Sequence, residues 1–386
     1  MIPRTLYDAD HEAFRDTVRR FVADHITPHH AEWEKAGQVP RALWHEAAKL
    51  GLLCCDVPEQ YGGMGGDFLH SAIIMEEMAR AGATGITFYL HSDIVAPYLV
   101  EFGSEAQKQQ WLPKMAAGTA VAALGMSEPS GGSDVQNIRT QAIRDGDDYV
   151  INGQKVFITN GHSADFILLA CKTNPAARAK GVSLIIVETD RAGFTRGRKL
   201  EKIGCKAQDT SELFFADVRV PVTNLLGGVE GSGFAQLMTQ LSQERLLQTI
   251  RAVSSAEAAL RWTLDYAAGR KMFGQTLADF QNTRFVLAGL HAEILSQRVF
   301  ADHLLGLHLK GELDPVDAAS AKLISTELQG RVMDQCLQFF GGWGYMWEYP
   351  IARAWADARM ARIGGGASEV MKQIIGNSLL PKVRAA

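Results

Sequence analysis

One carboxylate in this chain stands where acid–base chemistry is expected. In Gln243-Glu244-Arg245, helical angles place Glu244 on one face with Phe234, Leu237 and Leu241, while Leu246, Ile250 and Val253 take the opposite face. A helix that is apolar on both faces is usually buried between neighbours, and a carboxylate on its inner face is desolvated, with its pKa raised toward neutrality. That is the tuning a general base needs. Helical geometry alone is also satisfied by a glutamate at a crevice, paired with an arginine from a neighbouring helix.

Other segments suit ligand contact rather than proton transfer. Leu124 to Asp134 is a polar loop of small residues whose backbone amides can approach a ring or a phosphate, although many Ser/Gly/Pro clusters are ordinary connections. Phe339 to Pro350 combines rings with bare glycine backbone, which suits a flat heterocycle and equally suits tight helix packing. Ser368 is expected to cap the final helix, with helix N-terminal amides facing the Gly364–Gly366 loop. Arg270 ends a long helical run, where it meets a phosphate or favours its own helix C-terminus. His29-His30, His91 and His162 show no metal spacing, and no metal is expected. No G-x-G-x-x-G follows a strand, so a Rossmann dinucleotide site is not expected.

The elements that must position these residues fall into three groups. From Asp8 to about Ala120 the pattern is helical, with Phe14, Val18, Phe21 and Val22 on one face and further helices over Ser71–Arg80 and Glu105–Met115. Strand patterns follow. Tyr149–Ile151 and Lys155–Thr159 flank Asn152-Gly153, a dipeptide typical of hairpin turns, and Phe166–Ala170, Val182–Glu188 and Leu213–Val220 are further short strands. Together they predict an antiparallel β unit of roughly a hundred residues. Helix returns over Phe234–Ala268, Gln281–Lys310 and Pro315–Phe340. Helix, sheet, helix in one chain implies an α+β fold of segregated elements, divided at 1–122, 123–224 and 225–386.

At 386 residues, nearly half of them apolar, the chain can bury a large core across two or three units. A formal net charge of -4 argues against a nucleic-acid surface. Five cysteines without a CxxC pair fit a reducing compartment, and Cys54-Cys55 reads as a pair of core residues. The N-terminus carries neither a signal core nor transit-peptide character, and no stretch is apolar for long enough to span a bilayer, so a cytoplasmic location is expected.

Taken in order, Met126–Asp134, Phe157-Ile158-Thr159-Asn160-Gly161, Arg270-Lys271-Met272-Phe273-Gly274 and Gln338–Pro350 resemble the acyl-CoA dehydrogenase family over essentially the whole chain. Gly204–Leu213 together with Gln243–Leu247 is most similar to the long-chain branch. In many members the loop near the chain's end carries the catalytic glutamate, and here Gly365 occupies its place. Another part of the family keeps the base on a helix in a Gln-Glu-Arg sequence, which this chain has. The resemblance therefore implies Glu244 as the base.

It further implies an N-terminal helical domain, a central β-barrel-like domain and a C-terminal four-helix bundle, with FAD held non-covalently and a homotetramer completing the site. By position, Leu124, Met126, Ser127, Gly132, Ser133, Phe157 and Thr159 match flavin contacts of the β domain. Arg270, Phe273, Gln281, Gln338 and Gly342 match contacts to a neighbouring subunit's FAD, and Ala367 and Glu369 the last cofactor contacts. Ser133, Arg245, Gly364, Gly365 and Gly366 match acyl-CoA contacts, the Gly365 N–H being one donor to the thioester oxygen. The implied reaction is α,β-dehydrogenation of a long-chain or branched fatty acyl-CoA in β-oxidation, with the C2 proton taken by Glu244 and the C3 hydride by flavin N5. Its electrons would pass to an electron-transferring flavoprotein.

Four positions depart from the family pattern. Phe157 stands where tryptophan is common, Trp343 where asparagine is, Ala367 where threonine is, and Gly364 where a tyrosine would narrow the acyl pocket. Two alternatives remain at this level. An acyl-CoA or nitroalkane oxidase of the same fold would release peroxide, and a non-catalytic helical scaffold would lack both family bases, whereas Glu244 is present.

Overall fold

The computed structural model describes residues 2–380; Met1 and residues 381–386, the outermost parts of the two expected terminal domains, lie outside the described residues. Asp8 starts α1 (Ala9–Phe21) with a reciprocal capping box to His11. Val18 and Phe21 on its inner face, with Val22 just beyond its end, enter a core with Trp44 and Phe88, and Phe14 packs at the edge. The helical pattern continues through α2 (His30–Ala36), α3 (Arg41–Lys49), α4 (Phe68–Arg80), α5 (Ala96–Phe102) and α6 (Glu105–Ala116). A π-helical stretch, Leu90–Val95, leads directly into α5.

Seven strands follow: β1 (Ala122–Gly125), β2 (Gln141–Asp145), β3 (Asp148–Thr159), β4 (Phe166–Lys172), β5 (Val182–Glu188), β6 (Phe194–Lys199) and β7 (Thr210–Pro221). They form one curled sheet in the order β1-β4-β2-β3-β7-β6, with β5 on β4. Pairing is antiparallel except that β4 runs parallel to β1 and, at one residue pair, to β2.

Asn152-Gly153 is not the hairpin turn its composition predicts. The chain reverses at Gly146-Asp147, between the Asp145–Asp148 pair, and β3 runs straight through 152–153. There β7 carries an extra residue, a bulge at which Asn152 accepts the Asp217 N–H (3.0 Å) and donates to its carboxylate (2.9 Å). Gly153 is needed for a different reason: it has φ +150, and a Cβ would lie 2.6 Å from Thr140 Oγ1.

The remaining helices are α7 (Gly233–Gly269), α8 (Gln281–Leu309), α9 (Pro315–Phe339), α10 (Pro350–Ala361) and α11 (Ser368–Leu379), with a two-stranded hairpin, β8 (Lys271–Met272) and β9 (Gln275–Thr276), after α7. Helix α7 is the shared wall of the molecule. Leu237, Leu246, Leu247 and Ile250 pack with Tyr98 and Leu99 in the largest core cluster, while Ala256, Ala259 and Leu260 pack with α8 and α9 residues in another.

Two polar junctions lock the groups together. Glu76 of α4 accepts from Arg4 (2.6 Å), Arg15 of α1 (2.6 Å) and Arg298 of α8 (3.1 Å). At the second, Arg251 of α7 donates to the Thr84 carbonyl and the Cys205 thiol, and Asp357 of α10 accepts from Thr84 and the Cys205 N–H. The stretch around Cys205 is thus a structural junction. All five cysteines are buried and free, Cys54 and Cys55 among them.

Candidate active site

The inward face of α7 presents Glu244, with only 8% of its surface exposed. Its one hydrogen bond among the described residues comes from the Tyr98 hydroxyl of α5, which donates to Oε1 at 3.1 Å. Burial pushes the Glu244 carboxyl up to about 7, against the opposing effects of the Tyr98 hydrogen bond and the Arg245 charge. The crevice glutamate paired with an arginine of a neighbouring helix is therefore not what the fold builds. One residue earlier, Gln243 donates to the Asp93 carbonyl at 2.7 Å and pins α7 to the π-helical stretch.

Arg245 is buried, and its Nε has no hydrogen-bond partner. A cationic donor left open beside the candidate base fits a carbonyl or anionic ligand. Near it stands Lys322 of α9, also fully buried, whose ammonium donates to the Gly366 carbonyl. Burial, then the Arg245 charge, lower the Lys322 pKa to about 8.

The Gly364–Gly366 loop joins α10 to α11. Gly365 has φ +65 and Gly366 φ +96, conformations that side chains resist, so a glutamate at 365 would be strained. Space is also limited on either side. A Cβ on Gly366 would meet Met371 Cε at 2.7 Å, and one on Gly364 would meet Met360 Sδ at 2.8 Å. Met360 thus lies against Gly364 on the side to which a side chain would point. Ser368 is not the helix cap either. Ala367 takes that place, and the Ser368 hydroxyl donates to Glu327 (3.0 Å), which also accepts Arg362 Nε (3.0 Å) and so clamps both ends of the loop.

On the sheet, the Met126–Asp134 loop is held from beneath by a buried ion pair. Glu128 accepts from Lys155 Nζ (2.8 Å) and from the Arg139 and Thr140 amides (2.6 and 3.0 Å), and Val156 N–H donates to the Ser127 carbonyl (3.0 Å). Its outer surface is open, for Gly132, Ser133 and Phe157 are exposed while Leu124, Met126, Ser127 and Thr159 are half-buried. Phe157 holds φ +61 with 69% of its surface exposed, an uncommon and costly arrangement for an aromatic residue without a ligand. Beside it, Gln208 Nε2 donates to Thr159 Oγ1 (2.8 Å) while its buried Oε1 has no partner.

A second surface lies at the far end of α7. Arg270, Gln338, Gly341 and Gly342 line a groove of about 570 Å³, and a Cβ on either glycine would meet nothing within 4 Å. Phe273, at the tip of the β8–β9 hairpin with φ +50, is 90% exposed, and Gln281 is exposed at the start of α8. No hydrogen bond among the described residues joins this group to the sheet group. Ala367 is half-buried and Glu369 exposed in the first turn of α11.

The two surfaces have the chemistry to contact a flat ring on the sheet and an anionic group in the Arg270 groove. Exposed rings, a bare glycine cradle, an exposed guanidinium and an orphaned amide oxygen are all present. Reading residue types missed Tyr98, Glu128, Lys155, Gln208 and Lys322. Glu128 and Gln208 lay inside the motifs Met126–Asp134 and Gly204–Leu213, and Lys155 headed an apolar run, whereas nothing local marked Tyr98 or Lys322. His11, Asp67 and His70 also bring ligand atoms within 4.8 Å of one another, but both imidazoles serve the caps of α1 and α4.

Profiles for the acyl-CoA dehydrogenase N-terminal, middle and C-terminal domains match residues 8–119, 123–218 and 231–380. The long-chain specific acyl-CoA dehydrogenase, mitochondrial, of Sus scrofa is 48% identical over 379 residues, covering 98% of this chain and 88% of that one. The crystal structure of an acyl-CoA dehydrogenase from Geobacillus kaustophilus superposes with TM-score 0.96 at 44% identity, covering 98% of this chain and all of that one. A glutaryl-CoA dehydrogenase from Mycobacterium smegmatis, solved in complex with FADH2, superposes with TM-score 0.91 at 28% identity over 99% and 97% of the two chains.

Proposed function

This chain belongs to the acyl-CoA dehydrogenase family, and on that premise we propose the roles of its residues in the flavin-dependent α,β-dehydrogenation of a fatty acyl-CoA, with Glu244 as the base. The observation that carries the assignment is Glu244 itself: a buried carboxylate near neutrality, with one oxygen hydrogen-bonded and the other free. Such a group holds no proton in enough of the population at neutral pH to act, and gains driving force from its raised basicity.

Leu124, Met126, Ser127, Gly132, Ser133, Phe157 and Thr159 would hold FAD on the sheet surface, with Ala367 and Glu369 adding contacts from the last helix. Arg270, Phe273, Gln281, Gln338 and Gly342 would hold the FAD of a neighbouring protomer in a homotetramer. Their exposure on a single protomer supports this reading. Bound FAD supplies the acceptor for the hydride that leaves C3, so that trans-2-enoyl-CoA remains once C2 has lost its proton.

The protein's own part is binding, orientation and proton removal. Glu244 takes the C2 proton on its free oxygen. The Gly365 N–H donates to the thioester oxygen as charge develops there, a kind of contact that typically lowers a barrier by about 3 kcal/mol. Lys322 grips the Gly366 carbonyl and so tethers the loop that carries the Gly365 N–H, while Glu327 fixes the loop's two ends. Ser133, Arg245 and the Gly364–Gly366 loop contact the acyl-CoA, and the open Nε of Arg245 supports its place among them.

A long-chain acyl group, an electron-transferring flavoprotein as acceptor and a cytoplasmic location complete the proposal. The identity to the long-chain enzyme supports the first. No helix among the described residues is long and apolar enough to cross a membrane. The test is anaerobic: FAD-loaded protein should bleach on adding a long-chain acyl-CoA, and Glu244→Gln should keep its FAD yet stay oxidised. Bleaching by the variant at the wild-type rate would remove Glu244 from the mechanism. Peroxide released at each turnover in air would replace the flavoprotein acceptor with oxygen.

A further inference from the structure

Tyr98 lies wholly inside the protein, yet it carries a hydroxyl, which must find a partner there. That partner is Glu244 Oε1, at 3.1 Å. The terminal torsion of a glutamate is soft and roughly two-fold, so an unrestrained carboxylate samples many orientations. A hydrogen bond to one oxygen removes that freedom and leaves the other oxygen as the only free acceptor. We propose that Tyr98 is a positioning residue for the dehydrogenation, its hydroxyl fixing Oε1 of Glu244 so that the second oxygen accepts the C2 proton. The inference rests on the base assignment made above.

Local structure supports it. The π-helical stretch Leu90–Val95 feeds into α5 three residues before Tyr98, and Gln243 ties α7 to that stretch through the Asp93 carbonyl. Gln240 of α7 also reaches Glu101 of α5. The base and its hydroxyl partner are therefore held in register by contacts that flank Tyr98 at Asp93 and Glu101 and reach α7 just before Glu244. Tyr98 keeps its own proton throughout, because burial and then the Glu244 charge hold its phenol well above its ordinary range. In the step itself the C2–H bond breaks, the proton goes to Glu244, and the hydride from C3 goes to bound FAD.

The groups that set the protonation of Glu244 are few. Arg245 lies on its own helix, Tyr98 faces it from α5 with Glu101 behind, Asp93 sits on the π-helical stretch, and Lys322 of α9 adjoins Arg245. Removing the Tyr98 hydroxyl takes away a donor to the charged carboxylate, so Glu244 should release its proton only at higher pH.

Tyr98→Phe keeps the ring and the packing. In FAD-loaded protein mixed rapidly and anaerobically with a long-chain acyl-CoA, the rate of flavin bleaching should fall about tenfold or more at neutral pH, as expected for losing a hydrogen bond to a charged group. Its rising limb should move to higher pH. Infrared titration without substrate gives an independent reading: the carboxylic C=O band that Glu244→Gln abolishes should persist to higher pH in Tyr98→Phe. Replacing Tyr98 with 3-fluorotyrosine, a more acidic donor, should move both profiles the other way. A wild-type limb and band in Tyr98→Phe overturn the proposal, and so does a slower rate with neither profile shifted, which marks a packing role. If Glu244→Gln still bleaches, the base assignment fails; if only Tyr98→Phe behaves as wild type, the base stands and Tyr98 falls.

Discussion

Replacing Glu244 with glutamine should make the protein more stable while making it inactive. The carboxyl titrates near 4.5 in an unfolded chain and at about 7 in the fold, mainly because burial penalises its charge. The folded state therefore binds more protons than the unfolded state between these values. The stability that goes with its protonated form is fully present below pH 4.5 and is lost as pH rises through 7. At about 1.4 kcal/mol for each pH unit that separates the two values, the loss amounts to roughly 3 kcal/mol at pH 8. Glutamine has a similar shape and carries no charge, so it avoids that cost at every pH. Urea unfolding of FAD-loaded wild type and Glu244→Gln, at one protein concentration and at pH 5 and 8, measures it. The variant should exceed wild type by up to about 3 kcal/mol at pH 8, with most of that gap gone at pH 5. A gap that does not depend on pH, or a wild type more stable at pH 8, would show that Glu244 is not a desolvated carboxyl.

The opposite sign is expected at Glu76. Burial raises its pKa, but the charges of Arg298, Arg4 and Arg15 outweigh burial and pull it down to about 2. Its stabilisation is present above 4.5 and is lost as pH falls through 2. Glu76→Gln should cost about 3 kcal/mol at pH 7, since it removes the one buried carboxylate that the three guanidiniums share, leaving Arg4 to Asp302, Arg15 to Glu77 and Arg298 to Glu257; acid titration of the unfolding midpoint should show the gap closing toward pH 2. In the sheet, Gly153→Ala should cost about 3 kcal/mol or more, because a Cβ there meets Thr140 as well as an unfavourable φ. Gly146→Ala, with φ +64 but nothing within 4 Å, should cost only about 1 kcal/mol in the same unfolding assay. Equal costs would deny the close approach.

Periodicity and composition were enough for the order helix, sheet, helix, because core-facing residues must repeat at 3.6 in helices and at 2 in strands. The run Phe234–Ala268 accordingly became one helix, while Phe166–Ala170 and Val182–Glu188, apolar without alternation, became strands buried on both faces. Asn152-Gly153 misled for a physical reason. Tolerance of positive φ serves a bulge as readily as a turn, and the choice rested on Asp217 and Thr140, distant in sequence. Ser368 misled similarly, since its hydroxyl found Glu327 on another helix before the nearby amide.

The sequence by itself determined that Glu244 lies on the inner face of a helix apolar on both sides, and that the loop near the chain's end offers glycine rather than a carboxylate at 365. Both are local properties of residue type and helical angle. Only the tertiary structure decided how strongly Glu244 is desolvated, that Tyr98 holds one of its oxygens, that Lys322 grips the Gly366 carbonyl and that Met360 lies against Gly364. These depend on contacts between residues far apart in the chain, and a spacing pattern within one segment holds no information about them.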